Sequence, residues 1–320
     1  MKTAKMKRKK KTGKQKLAKW IFVSLACLIT AMLIALPVVA NMMVDIAISR
    51  SAVNDGVPFE QKPAVMELLR RHPFSEEHIL SDDGLDLYGK VYMASPQTSK
   101  WVVALHGRTT NSDIFAEKSL AFAQMGFNVL APDMRAHGNS GGGFTGMGWL
   151  DRIDVLRWID VILQKDPVAE IALYGVSMGG AAVMMAVGEQ LPPNIKCAVE
   201  DCGYTTVYDE FYYQMGQDYK GVPRFPMLNI VSLLAKLRAG YGFEEASSVN
   251  QLRNCKIPML FIHGDQDTFV PFEMLQRVYD ADICAEKDML VIQGAGHDES
   301  SEVDPDLYWG AIFSFLDKHM

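Results

Sequence analysis

Ile171-Ala172-Leu173-Tyr174-Gly175-Val176-Ser177-Met178-Gly179-Gly180-Ala181-Ala182-Val183 decides how this chain of 320 residues is read. The four apolar residues 171–174 have the length of a buried strand, and the small apolar run 178–187 reads as a helix. Between them a serine stands between two glycines. A strand that reverses directly into a helix leaves no room for side chains beside the bend, and glycine supplies the permissive backbone. Such a bend lifts the Ser177 hydroxyl clear of the sheet. It also turns the unbonded N–H groups of the helix start, with their positive potential, toward whatever that hydroxyl attacks.

Outward from this turn the chain alternates strand and helix patterns. Strands are expected at 85–93, 101–105, 127–131, 195–199, 259–262 and 289–292, beside the one at 171–174. Helices are expected at 64–71, 116–125, 150–163, 178–187, 272–279 and 307–316. Alternation sustained over ~230 residues implies an α/β fold, a mainly parallel sheet with helices on both faces. The pattern breaks over 205–248, which holds Phe211, Tyr212, Tyr213, Phe225, Met227 and a helix at 228–237. This stretch reads as a small cap inserted over the carboxyl edge of the sheet, where open α/β sheets bind ligands. Most of its aromatic residues serve packing.

A serine hydroxyl is a weak nucleophile until an imidazole takes its proton. The spacing G-x-S-x-G does not select the serine by itself, because Gly138-Asn139-Ser140-Gly141-Gly142 satisfies it too. That copy has no strand before it and no helix after it, so Ser140 is read as loop structure. The base is expected after the last strand, where Gly294-Ala295-Gly296-His297 forms an exposed glycine turn. Of the other histidines, His72 and His78 precede the core and His319 ends the chain. His106, His137 and His263 open loops, where a structural role is the default. After the strand at 259–262 come Asp265 and Asp267, either of which can orient an imidazole; Asp265 more naturally caps loop N–H groups. The early strand ending Leu105-His106-Gly107-Arg108 places the main-chain N–H of Arg108 as a second oxyanion donor beside that of Met178.

From 101 to 316 the chain resembles the α/β-hydrolase superfamily. It is most similar to membrane-anchored or cell-surface hydrolases of Gram-positive bacteria, related to the serine aminopeptidase and lysophospholipase-like branch. The resemblance rests on Leu105-His106-Gly107, Asp133-Met134-Arg135-Ala136-His137-Gly138, 146–151, 175–180, Glu200-Asp201-Cys202-Gly203-Tyr204, 263–271 and 294–297. It implies Ser177, Asp267 and His297 as a triad, favours Asp267 over Asp265, and keeps the order Ser…Asp…His of that superfamily. Arg108 departs from the pattern, since relatives often carry an aromatic residue there. A guanidinium at the mouth favours an acidic or phosphate-bearing substrate.

The amino terminus carries a different message. Residues 1–19 hold nine Lys, one Arg and no acid, and 20–44 follow without a single charge. Twenty-five residues of helix span ~37 Å, enough for a hydrocarbon core of ~30 Å. The basic block is expected to stay in the cytoplasm, with a signal-anchor at 20–44, a connector at 45–75 and an external hydrolase domain at 76–320. Cleavage near Val38-Val39-Ala40, giving a secreted protein, is the alternative. The net charge of −6 leaves −16 on the remainder of the chain, which argues against a nucleic-acid partner. Cys197, Cys202, Cys255 and Cys284 fit no zinc spacing, and neither metal nor organic cofactor is expected. The expected activity is hydrolysis of carboxylic esters or thioesters on a small-molecule or lipid-like acyl substrate. A peptidase, an acyltransferase and a cell-surface scaffold are the alternatives.

Overall fold

The computed structural model describes residues 13–53, 60–94 and 98–320. Most of the basic tail, 1–12, lies outside the described residues. The chain opens with α1 (Gly13–Ile48), a short 3-10 turn at Arg50–Ala52 and α2 (Pro63–Arg71), with Pro63 in the first turn where no N–H is needed. Two strands, β1 (Phe74–Leu80) and β2 (Asp86–Tyr92), form an antiparallel hairpin. Then follow β3 (Lys100–Leu105), α3 (Ala116–Gln124), β4 (Asn128–Pro132), α4 (Asp151–Lys165), β5 (Glu170–Val176), α5 (Met178–Ala186) and β6 (Ile195–Asp201). The inserted region contributes α6 (Val207–Asp218) and α7 (Arg224–Ala239). The chain closes with α8 (Ser248–Leu252), β7 (Met259–Gly264), α9 (Glu273–Ala281), β8 (Lys287–Ile292), α10 (Ser300–Val303) and α11 (Pro305–His319).

One sheet runs β1-β2-β4-β3-β5-β6-β7-β8. The β1–β2 and β2–β4 pairs are antiparallel and every later pair is parallel. Strand side chains alternate between two cores, as the two-residue period requires. Trp101, Val103, Leu105, Ile171 and Leu173 face α4 and α5, with Trp158 and Met185. Val102, Ala104, Ala172 and Tyr174 face the other side, with Phe122, Tyr308 and Phe315 from α3 and α11. The fold is therefore the α/β-hydrolase architecture, with β3, β5, β6 and β7 central and their carboxyl ends sharing one edge. Elements of the catalytic edge thus come from strands buried on both faces, which fixes their positions.

Three features differ from the sequence expectation. The strand β1 was missed because Phe74–Leu80 is exposed over most of its length, so no core alternation marks it. The region read as holding one helix contains two, because the aromatic run 211–213 sits inside α6, capped by Thr206 whose hydroxyl accepts from the Asp209 N–H at 2.8 Å. The apolar N-terminal helix is longer than the 20–44 span: α1 has 36 residues and passes through Pro37. Proline removes one helical hydrogen bond and ordinarily kinks or ends a helix. Here the turns beyond it are held from outside, because Ala40, Val44 and Ile48, spaced by four, are fully buried against the body.

Candidate active site

The turn between β5 and α5 is as tight as its glycines imply. Ser177 takes φ 57° and ψ −117°, a left-handed conformation that is strained for a residue with a side chain. Its N–H donates to the Asp201 carbonyl at 2.8 Å and its carbonyl accepts from the Ala181 N–H at 2.9 Å, so both arms are clamped. A Cβ at Gly175 would lie 2.2 Å from the Gly179 oxygen, and one at Gly179 would lie 2.1 Å from the Leu105 oxygen. Neither position accepts a side chain without moving β3 or β5.

Residues expected far apart in sequence converge on this serine. His297 Nε2 is 2.8 Å from Ser177 Oγ, and His297 Nδ1 is 2.7 Å from Asp267 Oδ2. Asp267 is buried, and its other oxygen accepts the Phe269 and Val270 N–H groups at 2.8 and 2.9 Å. Burial pushes its carboxyl upward, but hydrogen bonds from His263 and His297 outweigh that and bring the pKa down to about 2. The carboxylate is therefore ionised at any working pH. Asp265 sits elsewhere: it accepts the Gly294 N–H at 2.7 Å and so braces the turn that carries His297. Ser140 is buried, donates to the Asp133 carbonyl at 2.5 Å and accepts the Tyr88 N–H, fastening one loop to β2.

The turn after β3 rests directly on Ser177, since a Cβ at Gly107 would be 3.4 Å from Ser177 Cβ. His106 fixes that turn. One ring nitrogen faces the Gly107 carbonyl at 2.7 Å and the other accepts the Met134 N–H at 2.9 Å. Those two bonds call for one donor and one acceptor, and burial lowers its pKa further, so His106 is a neutral strut. Met178 begins α5, where a helix leaves its N–H groups without intrahelical acceptors. Arg108 and Met178 both line the cavity in front of Ser177. The Arg108 guanidinium is also tied to α1. It donates to the carbonyls of Ile46 and Ala47 at 3.1 and 2.9 Å, in the last turn of α1, where a cation complements the helix dipole.

The cavity has a volume of about 180 Å³ and is mostly apolar, walled by Met147, Tyr204, Phe211, Leu228, Val231 and Phe243. Glu210 of α6 is, beside Ser177, a buried polar feature of it. Burial raises its pKa to about 8, so it is neutral at pH 7. One of its oxygens accepts from Gln214 at 3.0 Å, and the other has no hydrogen-bond partner among the described residues.

A family model for the α/β-hydrolase fold matches residues 100–229, the span that holds β3, the Ser177 turn and most of α6–α7. Together with the strand order, that match decides the fold. The chain has the α/β-hydrolase fold. This hydrolase is similar to the uncharacterised protein YqkD of Bacillus subtilis, 26% identical over 73% of this chain and 76% of that one. It is also similar to the bifunctional esterase/perhydrolase DCH of Acinetobacter calcoaceticus, 24% identical over 62% of this chain and 84% of that one. Among solved structures, the Pyrococcus furiosus esterase Pf2001 superimposes with a TM-score of 0.67 at 24% identity, covering 82% of this chain and 96% of its own.

Several residues beside the site were not singled out by sequence. His263 Nε2 lies 3.0 Å from the Val270 carbonyl and 3.2 Å from Asp267 Oδ2, so it supports the acidic loop. Its four-residue spacing from Asp267 is the signal that points to this. Phe269 leans on the His297 ring with centroids 4.8 Å apart. Lys118 holds Asp298 at 2.7 Å, just beyond His297. Cys202 places its sulfur within 4.8 Å of Asp267 and His297, but burial raises its pKa well above the ordinary thiol value and keeps it protonated. All five cysteines are free thiols.

Proposed function

We propose that this hydrolase cleaves carboxylic esters or thioesters through an acyl-enzyme on Ser177. The observation that carries the reading is the continuous relay Ser177 Oγ–His297–Asp267, at 2.8 and 2.7 Å. His297 takes the Ser177 proton as Oγ bonds to the acyl carbon, and the carbonyl oxygen gains negative charge on the Met178 and Arg108 N–H groups. The C–O or C–S bond then breaks and His297 protonates the leaving alcohol or thiol. Water, deprotonated by the same imidazole, attacks the acyl-enzyme; acid leaves and the serine proton returns. Asp267, ionised throughout, holds the Nδ1–H tautomer and balances the transient imidazolium.

The apolar cavity favours an acyl chain over a charged peptide terminus, which supports ester over peptide cleavage. The helix α1 is long and apolar enough to cross a membrane. The basic block before it supports a cytoplasmic N-terminus, with the catalytic body on the opposite side. A fluorophosphonate probe is expected to label Ser177 in the wild type and not in Ser177→Ala. Esters of p-nitrophenol are expected to react well ahead of aminoacyl arylamides. A folded protein that takes no label would overturn the reading, and preference for the arylamides would replace it with a peptidase.

A further inference from the structure

The cavity in front of Ser177 is walled on one side by the last turns of α1. Met43, Ile46 and Ala47, three and four residues apart and hence on one helix face, line it together with residues of α6 and α7. Met43 is thus part of two things at once, the uncharged run 20–44 and the wall of the catalytic cavity. The first charge after that run, Asp45, is bonded to Arg238 of α7 at 2.6 Å, and the same guanidinium donates to Asn41 Oδ1 at 2.9 Å. The seam Ala40-Val44-Ile48 is buried against the body, so the helix end cannot be read as a loose tether.

Two further apolar side chains of α7 face outward, Phe225 at 76% exposed and Leu237 at 74% exposed. Ile46 lines the cavity and is still 54% exposed, so the cavity reaches the outer surface of α1 at this residue. Along the helix axis, Met43 is four residues above Val39, about one turn or ~6 Å. The uncharged run of α1 therefore ends within the cavity wall, between Met43 and Asp45.

Resting on the ester-hydrolase reading, we propose that the substrate is an acyl ester carried in the membrane. It reaches Ser177 sideways, from the leaflet next to the catalytic body, between α1 and the α6–α7 connection. Its methylenes pass from lipid to the Met43–Ile46 wall without crossing water, and only the ester and headgroup face the polar end of the site. The source is the bilayer itself. A water-dissolved short ester needs none of this construction.

The test uses the full chain reconstituted in phosphatidylcholine vesicles, with 1-oleoylglycerol in the bilayer and p-nitrophenyl acetate in the water. The rate on oleoylglycerol is expected to follow its mole fraction in the bilayer at constant bulk concentration. Ile46→Trp, which fills the wall, is expected to lower the oleoylglycerol-to-acetate rate ratio at least tenfold. Met42→Trp, on the exposed side (Met42 is 58% exposed) and outside the cavity lining, keeps the wild-type ratio. Dependence on bulk concentration alone, or equal ratios for the two variants, overturns the proposal. Ser177 labelling and acetate cleavage without turnover of vesicle-borne oleoylglycerol also overturns it while leaving the ester-hydrolase reading intact. Loss of labelling in the wild type sinks both.

Discussion

The catalytic edge of the sheet and the wall formed by α1, α6 and α7 meet at one cavity but are built by opposite means. At the edge, position is set by main-chain bonds and by glycines that nothing larger can replace. Ser177 is clamped through Asp201 and Ala181, and Asp267 through Phe269 and Val270. The wall consists of apolar side chains from segments about 180 residues apart, joined by Arg238 and the 40-44-48 seam. The first kind of construction tolerates almost no change and serves every substrate alike. The second tolerates change and governs which substrate fits.

That contrast can be broken most directly at His297. Replacing it with Ala is expected to lower kcat by about 10⁶-fold for any ester, as when the base is lost from a serine–histidine pair. The protein should remain folded by circular dichroism. Asp267→Asn is expected to cost about 10⁴-fold through the wrong imidazole tautomer. Asp265→Asn, which only loosens the brace on Gly294, should cost less than tenfold, and equal losses would erase the distinction between the two acids. Gly179→Ala forces a Cβ into the Leu105 carbonyl, so both thermal stability and activity fall, with a loss of at least ~3 kcal/mol measured by chemical unfolding.

Smaller effects sharpen the comparison further. Buried carboxyls beneath the edge have raised pKa values from burial: about 8 for Glu200, about 7 for Asp151 and about 6 for Asp201. From about pH 4.5 upward the unfolded chain releases these protons while the folded protein keeps them. The stability these three groups contribute is therefore fullest near pH 4.5 and falls as pH rises toward 8. Melting temperatures should decline over that window, and Glu200→Gln, which keeps the bond from the Gly203 N–H, should flatten the decline. Least of all, Arg238→Ala removes a half-exposed link to α1. It should shift the melting temperature by less than ~2 °C, consistent with the ~0.5 kcal/mol of such a pair. Its visible effect should be in chain-length preference.

The same contrast explains what the sequence disclosed. Gly175-Val176-Ser177-Met178-Gly179 and the turn at His297 are local: their glycines and flanking strand and helix are contiguous, so the fold class and the proposed nucleophile are legible from a dozen residues. The choice between Asp265 and Asp267 is decided by which carboxylate reaches His297 across 30 positions, and spacing holds no such information. The wall was still less visible. Met43 lies in, and Ile46 and Ala47 just beyond, an uncharged run that reads as an anchor whatever it touches, and nothing in the sequence ties Arg108 to α1. The exposed strand β1 and the helix α6 were hidden for a related reason, since neither carries the burial period of an isolated amphipathic element.

The bond from Arg108 to the Ile46 and Ala47 carbonyls has a consequence beyond holding two segments together. The turn that bears Arg108 packs on Ser177, so under the proposed membrane anchoring its placement is tied to the angle at which α1 leaves the bilayer. That angle follows the match between helix length and hydrocarbon thickness. Under that proposal lipid chain length becomes a physical variable of the reaction, felt through a guanidinium and two carbonyl oxygens.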